Sequence, residues 1–104
     1  MAWVMLFVAG GLEILWAWSM KISEGFSRPG PAALTLVAMV ASFSLLALAM
    51  RELPLGTAYT IWTGIGAVGA FAIGVAVLGE PATPARLLAA TLIVTGIVLM
   101  KLSS

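Results

Sequence analysis

The chain has 104 residues, 62% of them hydrophobic, with five Lys or Arg, four Asp or Glu, a net charge of +1 and a mean hydropathy of +1.17. So few charges cannot clothe a water-soluble domain of this size, so most of the surface must face lipid, and no basic patch for nucleic acid exists. With no Cys and no His, disulfides, thiolate sites, the usual metal ligand and the usual neutral-pH acid–base group are excluded, and proton chemistry falls to carboxylates.

A helix needs about 20 mainly apolar residues to cross the hydrocarbon core, and polar punctuation cuts the chain into four such pieces. The amino terminus, Met1-Ala2-Trp3-Val4, lacks the basic start of a cleaved signal, and Glu13 interrupts the apolar run, so the segment reads as part of the mature protein. The first predicted helix covers about 3–20 and ends at the polar run from Lys21 through Arg28 to Pro29-Gly30-Pro31. The second covers about 32–50 and stops at Arg51-Glu52-Leu53-Pro54. The third covers about 57–78, before Gly79-Glu80-Pro81, and the fourth about 85–100, with Arg86 and Lys101 at its ends. The expectation is an all-α integral membrane protein with a single four-helix transmembrane domain spanning 1–104.

Eight of the nine charged residues fall in or beside loops, where they stay hydrated or snorkel. Glu13 is the exception. Loops one and three carry Lys21, Arg28 and Arg86, against Arg51, Lys101 and the terminal amine on the other side. This weak bias predicts that both orientations insert, unless a partner fixes one. Four helices are too few to wrap a polar cavity around a charge, so a dimer of oppositely oriented copies is expected. Small residues serve close helix contact: Gly64, Gly66, Gly69 and Ala70 crowd the third helix, while Ala89, Ala90 and Gly96 mark the fourth as a dimer-packing element. Gly64 and Gly66 are also candidates for a helix hinge.

A mid-membrane carboxyl costs roughly 3 kcal/mol on insertion scales and marks function by default, the bland alternative being a protonated Glu bonded across a helix interface. Glu13 shares its helical face with Met5, Ala9, Gly10, Trp16, Ala17 and Met20. Tyr59 and Trp62, three residues apart, offer a second aromatic face, with Thr63 beside them and Ser42 mid-way along the second helix. Ser42 and Trp16 are suited to donate to the carboxylate, although Ser in lipid often bonds back to its own helix. Trp3 and Trp18 read as interfacial belt residues. Glu24, Glu52 and Glu80 read as solvated loop charges.

These residues resemble the small multidrug resistance transporters over nearly the full chain. The match is carried by Glu13, by the loop from Lys21 to Arg28, and by the block from Leu53-Pro54-Leu55-Gly56 through Tyr59, Trp62 and Thr63 to Gly64-Ile65-Gly66. Trp16, Gly79-Glu80-Pro81 and the Lys101 ending are similar to the guanidinium exporter subtype. Ser44 and Trp18 depart from the pattern, standing where a larger aromatic and an aliphatic residue are expected. The resemblance implies an antiparallel, dual-topology homodimer in the bacterial inner (plasma) membrane. It also implies proton-coupled export of guanidinium or a related small cation, with Glu13 of both subunits binding proton and substrate and Gly10, Trp16, Ser42, Tyr59 and Trp62 shaping the site. Export of quaternary ammonium ions is the rival on the same mechanism, and a non-transporting scaffold subunit the rival from another class. No cofactor or metal is expected, and no enzyme, because the chain holds no nucleophile–base pair, metal set or phosphate loop.

Overall fold

The computed structural model describes all residues from 1 to 104 and contains four helices and no strand. They are α1 (Ala2–Ile22), α2 (Pro29–Ala49), α3 (Leu55–Ala76) and α4 (Pro84–Leu102). At 1.5 Å per residue, helices of 19 to 22 residues reach about 30 Å, the thickness of a hydrocarbon core. All four are long and apolar enough to cross a membrane.

The helix ends follow local chemistry. The chain leaves α1 through three successive left-handed residues, Glu24, Gly25 and Phe26, only one of which is a glycine. Buried Ser23 holds that turn: its hydroxyl donates to the Met20 carbonyl at 2.7 Å and accepts from the Phe26 amide at 3.0 Å. The helix α2 starts earlier than the Pro29-Gly30-Pro31 run suggests. Prolines at its first and third positions lack only amide protons that a helix start leaves unpaired anyway. Pro54 and Thr83 stand just before α3 and α4, and the Thr83 hydroxyl accepts from the Arg86 amide at 3.2 Å.

The helix α1 packs on α2 and α3, while the α4 backbone lies against α3 alone. The subunit is therefore a slab of 40 × 34 × 16 Å, with 16 of its 104 residues buried, so one subunit encloses little of itself. The packed centre joins Leu6 and Ala9 of α1, Leu46 and Ala49 of α2, and Ala58, Ile61 and Trp62 of α3. Three alanines among these seven let the helix backbones approach closely.

Glycines set the register between neighbours. A Cβ at Gly10 would meet Ile65 at 2.7 Å, one at Gly64 would meet Ile97 at 2.9 Å, and one at Gly69 would collide with Ile14. Each glycine is thus a notch filled by an isoleucine from the facing helix. The helix α3 runs unbroken through Gly64 and Gly66, the two sequence candidates for a hinge. No residue of α4 is buried, and nothing within 4 Å opposes a Cβ at Gly96. At the far end of α4, the Lys101 ammonium stands 4.6 Å from the centre of the Trp3 ring. This cation–π contact ties α4 to the start of α1 at the level where both residue types settle in a bilayer.

Candidate functional site

Glu13 lies at the middle of α1, half-buried, with its side chain laid along the Gly66 backbone of α3; a Cβ at Gly66 would overlap the carboxylate. Its Oε1 is buried and has no hydrogen-bond partner, and the indole nitrogen of Trp16, one turn further along, is in the same condition. No Lys or Arg pairs with any acidic side chain in the subunit. An acceptor at membrane depth and a donor close to it, both unused, form a place where a polar ligand is held better than lipid is.

Ser42 ties three helices together one turn of α1 before Glu13. Its hydroxyl donates to the Ala9 carbonyl of α1 at 2.7 Å and accepts from the Trp62 indole N–H of α3 at 3.0 Å, all within the buried interior. The Ala9 carbonyl is also the helical partner of the Glu13 amide, four residues on, so Ser42 braces the turn that carries Glu13. Its single proton goes to Ala9. Ser42 therefore neither bonds back to its own helix nor donates to Glu13, as the sequence had suggested. Ser42→Ala is expected to strand the Trp62 N–H and lower stability by about 1–2 kcal/mol. The denaturation midpoint of the detergent-solubilised protein measures this, and Ser42→Thr should recover most of it.

An aromatic file crosses the face of the subunit from α1 to α3. Trp16 meets Phe43 edge-on at 6.3 Å, Phe43 meets Trp62 at 5.7 Å, and Trp62 meets Tyr59 at 5.6 Å. Trp62 is buried, whereas Phe43 and Tyr59 are nearly half exposed. Gly10 faces Ile65, one residue before Gly66, and its lack of a side chain lets α1 and α3 meet beside Glu13.

Other sequence candidates sit elsewhere. Thr63 opens with Tyr59 onto a groove of about 540 Å³ between α3 and α4. Ser44 faces outward and donates to Val40 of its own helix. Trp18 lines a separate cavity at the end of α1. No three acidic side chains converge as a metal site would require.

The family model described as Small Multidrug Resistance protein matches residues 1–93. The chain belongs to the small multidrug resistance family. Relatives agree along the whole length of this small multidrug resistance protein. A protein named "Guanidinium exporter" from Salmonella typhimurium is 56% identical over 104 residues, covering 100% of this chain and 99% of the relative. Proteins of the same name from Yersinia pseudotuberculosis and Citrobacter freundii are 56% and 53% identical over the same 104 residues, covering 100% and 99% of those chains. With four spanning helices and this family, the chain is an integral membrane protein and a transporter.

Two residues of this site escaped the sequence reading. Phe43 is the ring that joins Trp16 to Trp62, and its signal was available, since it adjoins Ser42 and lies on the second helix at the same depth. Gly66 was read for helix packing and bending. Its contact with Glu13 is a matter of helix register, which no pattern in one sequence states.

Proposed function

We propose that this chain exports guanidinium in exchange for protons at Glu13, working as an antiparallel, dual-topology homodimer of four-helix subunits in the bacterial inner membrane. The observation that carries this reading is the half-buried Glu13 carboxylate at mid-membrane, with an oxygen that nothing in its own subunit satisfies. The name carried by relatives at 53–56% identity supplies the cation.

Guanidinium is planar and presents N–H donors in pairs, and a carboxylate accepts two of them side by side. The faces of Trp16, Phe43, Trp62 and Tyr59 suit a flat cation, adding about 1–2 kcal/mol of cation–π attraction where water is excluded. Proton and guanidinium compete for the same carboxylate. If only a loaded dimer exchanges sides, that competition couples the two gradients without covalent chemistry.

The thin slab and the bare outer face of α4 support a second copy, with Ala89, Ala90 and Gly96 available for packing between subunits. An inverted pairing brings two Glu13 carboxylates to one chamber and matches the weak charge bias of the loops. In such a dimer Gly64 and Gly66 are where α3 gives as the chamber changes sides.

Purified protein in liposomes, given guanidinium with and without a pH gradient, tests the reading. The expected result is guanidinium accumulation that follows the gradient and reverses with it. Movement of tetramethylammonium but not guanidinium would keep the exchanger and reject the substrate. Silence toward both cations in folded, dimeric protein would favour a scaffold.

A further inference from the structure

A second cavity lies at the other end of α1 from Trp3, where α1, α3 and the start of α4 come together. Its volume is about 320 Å³, and Trp18, Lys21, Phe71, Leu78, Glu80 and Arg86 are among the residues that line it. Three features distinguish it from an ordinary crevice between helix ends.

It contains charges of both signs that do not pair with one another. Lys21 closes α1, Arg86 opens α4, and Glu80 stands between α3 and α4, yet no acidic side chain makes an ion pair. Arg86 is held in place instead: it donates to the Pro81 carbonyl at 3.0 Å, and its guanidinium lies 5.9 Å from the centre of the Phe71 ring.

The acidic group is also positioned. Gly79 takes a left-handed φ of 72°, and the Glu80 amide turns back to donate to the Gly74 carbonyl at 2.9 Å. The Glu80 carboxylate then lies on α3 at Gly74, where an added Cβ would meet Oε1 at 2.7 Å. Glu80 is an exposed loop residue, as the sequence suggested. The fold turns its carboxylate back over a glycine notch at the cavity wall.

Finally, most of the cavity lining is apolar, and it sits at the depth of a membrane interface. Phe71, Leu78 and Trp18 line it together with the charged residues, and the helices end here, where lipid headgroups begin. A ligand that suits this lining carries an anion, a cation with N–H donors a few bonds away, and an apolar body.

We propose that this cavity binds the headgroup of a phosphatidylethanolamine-type lipid, its phosphate between Lys21 and Arg86 and its ammonium on Glu80. A free phosphate or a soluble zwitterion shares part of this chemistry. The mostly apolar lining at the level of the membrane interface selects the lipid. A choline headgroup has no N–H for Glu80, and a glycerol headgroup has no cation, so of the three only ethanolamine brings both the charge and the donors that Glu80 can use. The proposal does not depend on which cation the central site carries.

Native mass spectrometry of the full-length protein tests it, with the protein equilibrated in equal amounts of phosphatidylethanolamine, phosphatidylcholine and phosphatidylglycerol. Wild type is expected to retain phosphatidylethanolamine about tenfold better than phosphatidylcholine, the value of one charge-assisted hydrogen bond. Lys21→Gln with Arg86→Gln should lower retention of all three lipids by about tenfold or more. Glu80→Gln should sharply reduce the preference for ethanolamine over choline while lowering choline retention much less, and Gly74→Ala, which keeps the charge but displaces it, should weaken the same preference. Equal retention of the two zwitterionic lipids by wild type, or an undiminished preference in Glu80→Gln, overturns the proposal. Displacement of the lipid by equimolar soluble phosphoethanolamine would also overturn it, assigning the cavity to a water-borne ligand.

Discussion

Glu13→Gln is expected to abolish guanidinium movement driven by a pH gradient, with insertion and assembly intact. Gln has nearly the same volume and the same number of rotatable bonds, so it can lie along Gly66 as Glu13 does. What it loses is the negative charge and the ability to take up a proton. A charge-assisted hydrogen bond contributes about 1.5–3 kcal/mol, so losing two to the bound cation should weaken binding at least a hundredfold. Coupling disappears for a separate reason: an amide has no second protonation state near neutral pH to exchange for the cation. Binding and coupling can be measured apart, by isothermal titration of guanidinium and by proton release on cation addition. Glu13→Asp divides the two effects. Its carboxylate is drawn back by one methylene from Gly66, so affinity should fall while proton release persists. Gradient-driven accumulation in Glu13→Gln at wild-type rate would remove Glu13 from the mechanism.

Much of the fold was legible because lipid imposes its own grammar. Glu13 stood out as the one charge far from either end of a spanning segment, and spacing alone placed Trp16 near it and paired Tyr59 with Trp62. The helix starts were less readable. Pro29-Gly30-Pro31 has loop composition, yet prolines fit a first helical turn whose amides need no partner. Contacts between helices were not readable at all, because composition says that Ser42 lies mid-helix but not which carbonyl it reaches. Its bond to Ala9 rests on the rotation of α2 about its own axis, and the seating of Glu13 on Gly66 rests on the register of α1 against α3. Glu80 shows the same limit in a loop, since a left-handed residue at Gly79 decides where its carboxylate points.

Gly66→Ala carries the second large expected effect. The atoms an alanine methyl would strike are the carboxylate and Cγ of Glu13, the outer part of a flexible side chain. The helices therefore need not separate; the carboxylate rotates away instead. The protein should insert and remain folded, while the apparent KM for guanidinium rises about tenfold or more, the loss of roughly one charge-assisted hydrogen bond. Gly69→Ala supplies the control one turn along α3. Its methyl collides with Ile14 rather than Glu13, so it crowds the same helix pair without touching the carboxylate. That variant should lower the unfolding midpoint and leave KM close to wild type. If both alanines change KM equally, general crowding of α1 against α3 explains the result and the Gly66 seat has no special role. If Gly66→Ala alone changes it, and Gly66→Ala with Glu13→Gln adds nothing to Glu13→Gln, the two residues act as one unit: a glycine that holds a carboxylate where a cation can reach it.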